Sequence, residues 1–511
     1  MNDKCFGLAK NLARLFACRR VMQLGIVTFL GFSAATQFGW PARATDFKRG
    51  PLVQISGLSP FRDCTLVSAG NPGVFPGVLF PDDAGAETFV AVNPANAKNL
   101  VATWIPGGGK GRLVCASLDG GRKWQQVVVP GLTLCTGGTL QRVWDPWIAF
   151  APNGVLYETG VSFSGGGSGD FKAINVSKSA DGGLHWSSPT LLEASSDPRF
   201  AVDKPSVTTD PTDARYAYAT WDQIANGNRD FMKFSRTTDG GNTWEPARVV
   251  FDPGESDQVN DPTILVSPTG MVFAFFVVLP FANANGGSQK DGILTLIRSE
   301  DKGLTWSAAI PVARVPATTV TDPDTGGAVG TLGSFPQFFS VTVDAQSCQL
   351  HAVWEDTRFS GGQFTGVAFT TSADGGLTWS TPIAVSQTPA TVAPVNRNAF
   401  LPSVAVAADG TIGVTYYDFR FNDSGLGALT DYWLVHCHPS SPTACTDASN
   451  WRSETRLTDA SFDLEKSVMV SYSLWLGDYE GLATAGNDFV AVWAMPSGAD
   501  PNRIFFRRVG P

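Results

Sequence analysis

Ser117-Leu118-Asp119-Gly120-Gly121-Arg122-Lys123-Trp124 returns four times along the chain. The later copies are Ser179-Ala-Asp181-Gly-Gly-Leu-His185-Trp186, Thr237-Thr-Asp239-Gly-Gly-Asn-Thr-Trp244, Ser299-Glu-Asp301-Lys-Gly-Leu-Thr-Trp306 and Ser372-Ala-Asp374-Gly-Gly-Leu-Thr-Trp379. The aspartates are 62, 58, 62 and 73 residues apart, and a degenerate sixth copy runs from Asp447 to Trp451. Periods of this size denote stacked supersecondary units. Each copy follows an alternating apolar run, such as Phe231-Met-Lys-Phe-Ser235, and precedes a short extended one, such as Ala247-Arg-Val-Val-Phe251. That pattern is strand, tight turn, strand. The aspartate accepts backbone N–H bonds within the turn, and glycine supplies the positive φ. The tryptophan is left to pack between neighbouring units.

A second period lies upstream of these turns. Glu87-Thr-Phe-Val, Asp145-Pro-Trp-Ile, Asp203-Lys-Pro-Ser and Asp261-Pro-Thr-Ile each open an apolar strand, with their acids 58 residues apart. Phe335-Pro-Gln, Leu401-Pro-Ser and Asp478-Tyr479-Glu480-Gly continue the series to seven units. Strands ending in Trp104, Trp221, Phe276, Trp354, Tyr416 and Trp493 follow these openings. Each unit therefore reads as four antiparallel strands, and the chain as an all-β propeller. Seven blades are favoured, with six as the alternative. The last unit stops after Ile504–Val509, so Leu52–Ile55 is expected to supply its missing strand and remove a free sheet edge. If the acids are in step, Glu87, Asp145, Asp203, Asp261 and Asp478 ring one mouth of the channel. There they would raise one another's pKa, or bind a cation. The plainer alternative is that they accept hydrogen bonds from neighbouring strand starts.

The chain has 511 residues, 43 % apolar and 16 % charged, enough for a large core. Residues 1–44 hold six basic residues and one acid, which leaves −14 on the rest of a chain whose net charge is −9. That balance argues against general nucleic-acid binding and against docking on anionic membranes. The basic start (Lys4, Lys10, Arg14, Arg19, Arg20), the apolar run Val21–Ala35 and Ala42-Arg43-Ala44 read as an export signal. The mature part, 45–511, is expected to be a single domain, secreted or periplasmic, and monomeric. Six cysteines remain beyond the signal, and the expected pairs are Cys437–Cys445 and Cys115–Cys135. His436-Cys437-His438 lacks a second ligand pair for zinc. No nucleotide, zinc-protease or serine-hydrolase motif occurs. No cofactor is expected; Asp322-Pro-Asp324-Thr-Gly326 offers a loop for structural Ca²⁺, with a plain turn as the alternative.

The octapeptide S-x-D-x-G-x-x-W resembles the Asp-box of secreted sialidases, and the resemblance covers about Glu87 to Val509. It implies a glycoside hydrolase acting exo on sialic acid or a related acidic sugar. A lyase or hydrolase of another polysaccharide, and a non-catalytic carbohydrate- or protein-binding propeller, stand as alternatives, because fold does not fix function. The resemblance also implies that the box aspartates are structural and lie away from the channel. Members of the family clamp the sugar carboxylate with an arginine triad and attack with a tyrosine. Here that implies Tyr479 as nucleophile, Glu355 as its base and Asp145 as general acid. Arg142, Arg358 and Arg420 would bind the carboxylate, beside Asp203, Asp261 and Asp478. Arg358 and Arg420 come from the related stretches Trp354-Glu355-Asp356-Thr-Arg358 and Tyr416-Tyr417-Asp418-Phe-Arg420. The alternative for both is an ion pair within their own loop. Two departures from the family stand out. Phe61-Arg62-Asp63-Cys64 loses the Ile-Pro that follows the first family arginine, and Glu480 replaces the serine after the tyrosine. Adjacent strand residues face opposite sides, so either Tyr479 or the pair Asp478 and Glu480 points into the channel.

Overall fold

A computed structural model describes residues 47–511 apart from 68–79, 165–170, 198, 226–228, 256, 281–290, 330–337, 424, 426, 452, 471 and 499. The export signal read from residues 1–44, and the opening Phe335-Pro-Gln, lie outside the described residues.

The alternating apolar runs form strands throughout, and seven antiparallel sheets of one plan succeed one another along the chain. The first runs Gly85–Val92, Leu100–Pro106, Arg112–Ser117, Gln125–Val129, each strand paired with the next. The others start at Arg142, Phe200, Asp257, Phe339, Ala399 and Gly481. The seventh has only three strands of its own, Gly481–Ala485, Asp488–Ser497 and Asp500–Gly510. Its free edge is taken by Lys48–Arg49 and Val53–Gln54, both antiparallel to the last strand. A small extra sheet joins Val320–Thr321 and Ala328–Val329 to Val468–Val470 and Ser473–Trp475.

Packing between sheets explains the box sequence. The glycine two residues after each box aspartate has positive φ and abuts the preceding sheet. A Cβ on Gly241 would come within 2.5 Å of Tyr157, on Gly303 within 2.5 Å of Phe234, and on Gly183 within 2.9 Å of Val101. Gly121, in the first sheet, lies in the same way against Phe506 of the last. The box tryptophans reinforce these seams: Trp124 meets Phe506, Trp244 meets Tyr157 and Trp306 meets Phe234, all edge-on. Each sheet leans on its predecessor, and the first leans on the seventh.

Two features recur at opposite ends of this ring. Gly85 pairs with Pro106 and Leu100 with Ser117, so the innermost strands begin at the end where second strands finish. The Asp-box turns lie at the other end. There Asp239 Oδ1 accepts the N–H groups of Asn242 and Thr243 at 3.0 and 2.9 Å, and Thr243 Oγ1 closes Oδ2 at 2.7 Å. At the opposite end, the innermost strands carry bulges, where the pairing skips between Ala86 and Phe89, Trp144 and Trp147, Asp203 and Ser206, Asn260 and Thr263, and Phe400 and Ser403. Each bulge holds one non-glycine residue at positive φ: Glu87, Asp145, Lys204, Asp261 or Leu401. Such backbone costs free energy and is held by its surroundings.

The cysteines depart in part from expectation. Cys437–Cys445 forms, but Cys135 pairs with Cys64 rather than with Cys115. Cys115 is a buried thiol whose sulfur points at the Ile55 carbonyl, on the N-terminal segment that completes the seventh sheet.

Candidate functional site

The bulges gather charge at one end of the channel. Lys204 Nζ lies 2.8 Å from Asp145 Oδ1, 2.5 Å from Asp478 Oδ2 and 3.4 Å from Glu87 Oε1, and all four side chains are buried. Burial lowers the Lys204 pKa, but Asp145, Asp478, Glu87 and Asp203 outweigh it, and the net shift is well upward. Asp478 also accepts Trp475 Nε1–H at 3.0 Å. Glu87 is fully buried, and its Oε2 has no hydrogen-bond partner. Burial raises its pKa, against Lys204 and with help from Asp145 and Asp478. The oxygens of Glu87, Asp145 and Asp478 fall within 4.8 Å of one another, spacing that suits a cation, and the Lys204 ammonium fills that role.

Lys204 corrects the expected ring of acids. The bulge position is held by Glu87, Asp145, Lys204 and Asp261, so the third member is a lysine and Asp203 is its neighbour. The count of 58 residues found an acid one place early. Asp203 accepts the Lys204 N–H at 3.1 Å. It sits directly opposite Asp222, and both have pKa values pushed well up by burial. The signal that identifies Lys204 is the proline after it, matching Pro146 and Pro262.

A cavity of about 400 Å³ occupies the channel beside this cluster. Asp261, Glu355, Asp478, Tyr479 and Glu480 line it, with Phe89, Trp147 and Phe338 as aromatic wall. Asp261 and Glu355 are 6 % and 7 % exposed. Glu355 Oε1 accepts the Leu401 N–H at 2.9 Å, and burial raises its pKa to about 7. Burial also raises Asp261 to about 7, against the pull of Lys204. Among the described residues no cationic side chain bonds either acid. Glu480 is spoken for: Thr88 and Tyr417 hydroxyls donate to it at 2.5 and 2.7 Å, tying three sheets together.

Tyr479 is also fixed. Its hydroxyl donates to the Pro146 carbonyl at 3.2 Å, and its ring meets Phe89 and Trp147. Burial, then Glu87 and Asp145, push its pKa well up, so the environment disfavours the phenolate. Both Tyr479 and its two acidic neighbours thus reach the cavity wall.

The three arginines do not converge. Arg142 donates to the Gly108 carbonyl at 2.6 Å. Arg358 Nε pairs with Asp356 at 2.6 Å, and its Nη2 turns to the Arg314 carbonyl. Arg420 pairs with Asp418 at 2.6 Å and Glu454 at 2.5 Å, over the Trp433 ring. Each belongs to a different sheet, and Arg358 and Arg420 form the ion pairs within their own loops that stood as the alternative for those two. Arg62, half-exposed, faces Asp83 at 3.6 Å. His436 stacks on Phe47 and His438 meets Thr411, while Cys437 is in a disulfide. In the loop read for Ca²⁺, Asp322 binds the N–H groups of its own turn, within 4.8 Å of Asp324 and Glu465 oxygens.

No protein-family model and no curated protein matches the chain. Among solved structures, the chain is similar to a Penicillium chrysogenum alpha-L-arabinanase, at 13 % identity over 86 % of this chain and 98 % of that one, with a TM-score of 0.44. A Fusarium graminearum alpha-L-arabinofuranosidase matches at 14 % identity over 87 % and 98 %, with a TM-score of 0.45. A Trypanosoma rangeli sialidase matches at 15 % identity over 76 % and 59 %, with a TM-score of 0.42.

Proposed function

We propose that this protein is a glycoside hydrolase whose reaction is run by the carboxyl groups of the channel. One observation carries the reading: Asp261 and Glu355 face the same cavity, each buried, each with a pKa near 7. Groups so poised can exchange protons at neutral pH. One delivers a proton to the departing glycosidic oxygen, and the other takes the proton of the attacking water. Phe89, Trp147 and Phe338 give a sugar ring apolar surface to lie against. The carboxylates around Lys204 set negative charge close to a developing oxocarbenium centre.

The exo-sialidase form of this reading would use Tyr479, with Glu355 as base, Asp145 as acid and the three arginines on the sugar carboxylate. It is the less favoured form. It needs Arg142, Arg358 and Arg420 to leave three separate partners, and Asp145 to leave Lys204. We place the protein in an oxidising compartment, outside the cytoplasm. The disulfides Cys64–Cys135 and Cys437–Cys445 support that placement.

The test is hydrolysis of a panel of aryl glycosides and polysaccharides by the full chain, followed with Glu355→Gln and Asp261→Asn. Each substitution should lower turnover by roughly 10²–10⁴-fold. Turnover at the wild-type level in both variants, or none by the wild type on any glycoside, ends the proposal.

A further inference from the structure

We propose that the seam between the first and seventh sheets carries a second binding site, for a sulfate or phosphate group, at the end of the ring opposite the Lys204 cluster. The proposal is independent of the hydrolase reading. A cavity of about 570 Å³ opens there, a volume in the range of ligand sites. Four cations from four separate stretches line it. They are Lys48 on the N-terminal strand, Lys98 in the turn before Leu100, Arg122 in the first Asp-box and Arg508 on the last strand. Backbone bonds fix these stretches. The Gly120 N–H donates to the Lys98 carbonyl and the Gly50 N–H to the Arg508 carbonyl, each at 2.8 Å. Lys48 itself pairs with Gly510. The two halves meet where Gly121 lies against Phe506. Closing the ring therefore gathers the four charges.

The acids of this cavity, Asp119 and Asp488, already have partners. Asp119 Oδ1 accepts the N–H groups of Arg122 and Lys123 at 2.9 and 3.0 Å, and Asp488 Oδ2 pairs with Arg508 Nε at 2.6 Å. Among the described residues Lys48, Lys98 and Arg122 form no ion pair, and all three are exposed. Four cations thus outnumber two acids, and a carboxylate at Pro511, which also borders the cavity, does not reverse the balance. The seam between the third and fourth sheets is different: there Lys302 of the Asp-box is met by Asp210 at 2.7 Å. In a chain that carries −14 beyond residue 44, three cations without a counter-charge around one hollow depart from the surrounding surface. Like charges around a concave site reinforce one another's potential and attract an anion. The Arg122 fork matches two oxygens of a sulfate or phosphate, and the lysines add point charges. An anion held this way touches the N-terminal strand, the first sheet and the last strand together, and so staples the seam.

The test is titration calorimetry of the full chain, at constant ionic strength, with a dextran sulfate oligosaccharide, unsulfated dextran of the same length, sodium sulfate and sodium phosphate. The sulfated oligosaccharide should bind at least about tenfold more tightly than the unsulfated one. Lys98→Gln and Arg122→Gln should each weaken it by about tenfold. Lys123→Gln, one residue along but outside the cavity, is the control for diffuse attraction and should change it by less than about twofold. All three side chains are exposed, and circular dichroism confirms that each variant is folded. Saturating ligand should raise the Tm of the wild type and not that of Arg122→Gln. Glycoside hydrolysis by Lys98→Gln and Arg122→Gln should match the wild type, so this proposal and the hydrolase reading can fail separately. Tighter binding of the sulfated oligosaccharide than of either inorganic ion supports the site and assigns it to an ester on a glycan. Inorganic sulfate or phosphate binding at least as tightly, with the same dependence on Lys98 and Arg122, supports the site and assigns it to the free ion. Equal affinity for the two dextrans, no binding of any probe, or a loss from Lys123→Gln as large as that from Arg122→Gln overturns the proposal.

Discussion

Asp239 and Asp261 come from the same repeating unit plan, yet their carboxyl groups live in opposite conditions. Asp239 sits in water at the Asp-box end, and hydrogen bonds from Thr243 and its neighbours hold its pKa down at about 2. Asp261 sits in the channel, and burial drives its pKa up to about 7. The same contrast separates Asp301, at about 2, from Glu355, at about 7. At one end a carboxylate is used as an acceptor that shapes a turn. At the other it is kept from water and left ready to hold a proton. A propeller can afford the second arrangement because the first has already fixed the sheets around it.

The largest test of that contrast is Lys204→Met. It removes the ammonium that binds Glu87, Asp145 and Asp478 and leaves them buried without that counter-charge. Denaturant unfolding should show a loss of about 3–5 kcal/mol. An unchanged midpoint would mean that the three acids are already protonated in the native state. A pH series comes next. Asp261 and Glu355 titrate near 7, and Asp230, Glu158 and Glu480 near 8, all well above the unfolded value near 4. Between about pH 4 and 8 the folded chain therefore binds more protons than the unfolded one, and stability falls as pH rises. Asp239 and Asp301 act with the other sign: their contribution is present above about 4 and is lost as pH falls through about 2. His351 and His436, both lowered to about 4 by burial, also favour higher pH below about 6.5, but they are outnumbered. The Tm should be higher at pH 5 than at pH 8; the reverse order would break the comparison.

Gly241→Ala should cost about 1–3 kcal/mol, because the new methyl meets Tyr157 at a positive φ. Asp374→Ala should cost less, about 1 kcal/mol, from lost turn hydrogen bonds to Thr378. Its effect should stay local: hydrogen exchange should quicken in the 372–379 turn and leave the Lys204 cluster unchanged. Exchange that quickens at both ends would show that the two ends are one cooperative unit.

The Asp-boxes made the strand plan legible because a turn imposes its chemistry locally: eight residues contain the acceptor, the donors and the positive-φ glycines. The channel end was only partly legible. Counting acids put Asp203 where Lys204 stands, since a bulge shifts the phase by one residue and spacing alone does not register it. The x-Pro pattern carried the true phase. The partners of the arginines were not legible for another reason. A guanidinium two residues after an aspartate, as in Asp356-Thr-Arg358, satisfies itself locally, and no sequence distance reveals which way it turns. Cys64–Cys135 was missed because the 71-residue separation is bridged by tertiary structure.

The joining of the two chain ends in the seventh sheet has a consequence for how the protein is made. Ser56 Oγ and the Ile504 N–H, hydrogen-bonded at 2.9 Å, are 448 residues apart in sequence. At ordinary rates of synthesis that interval takes between about 20 and 90 s. Through all of it the strands near the start of the chain have no partner, and the first sheet has nothing behind Gly121 to lean on. Early sheets can form as they emerge, but the ring can only be sealed last, by residues that have just been joined. A ribosome that stalls near the end would therefore leave a nearly complete molecule with two adhesive edges. Both edges are complementary to the same strand, Asp500–Gly510, so each such molecule would be drawn to the last strand of another copy.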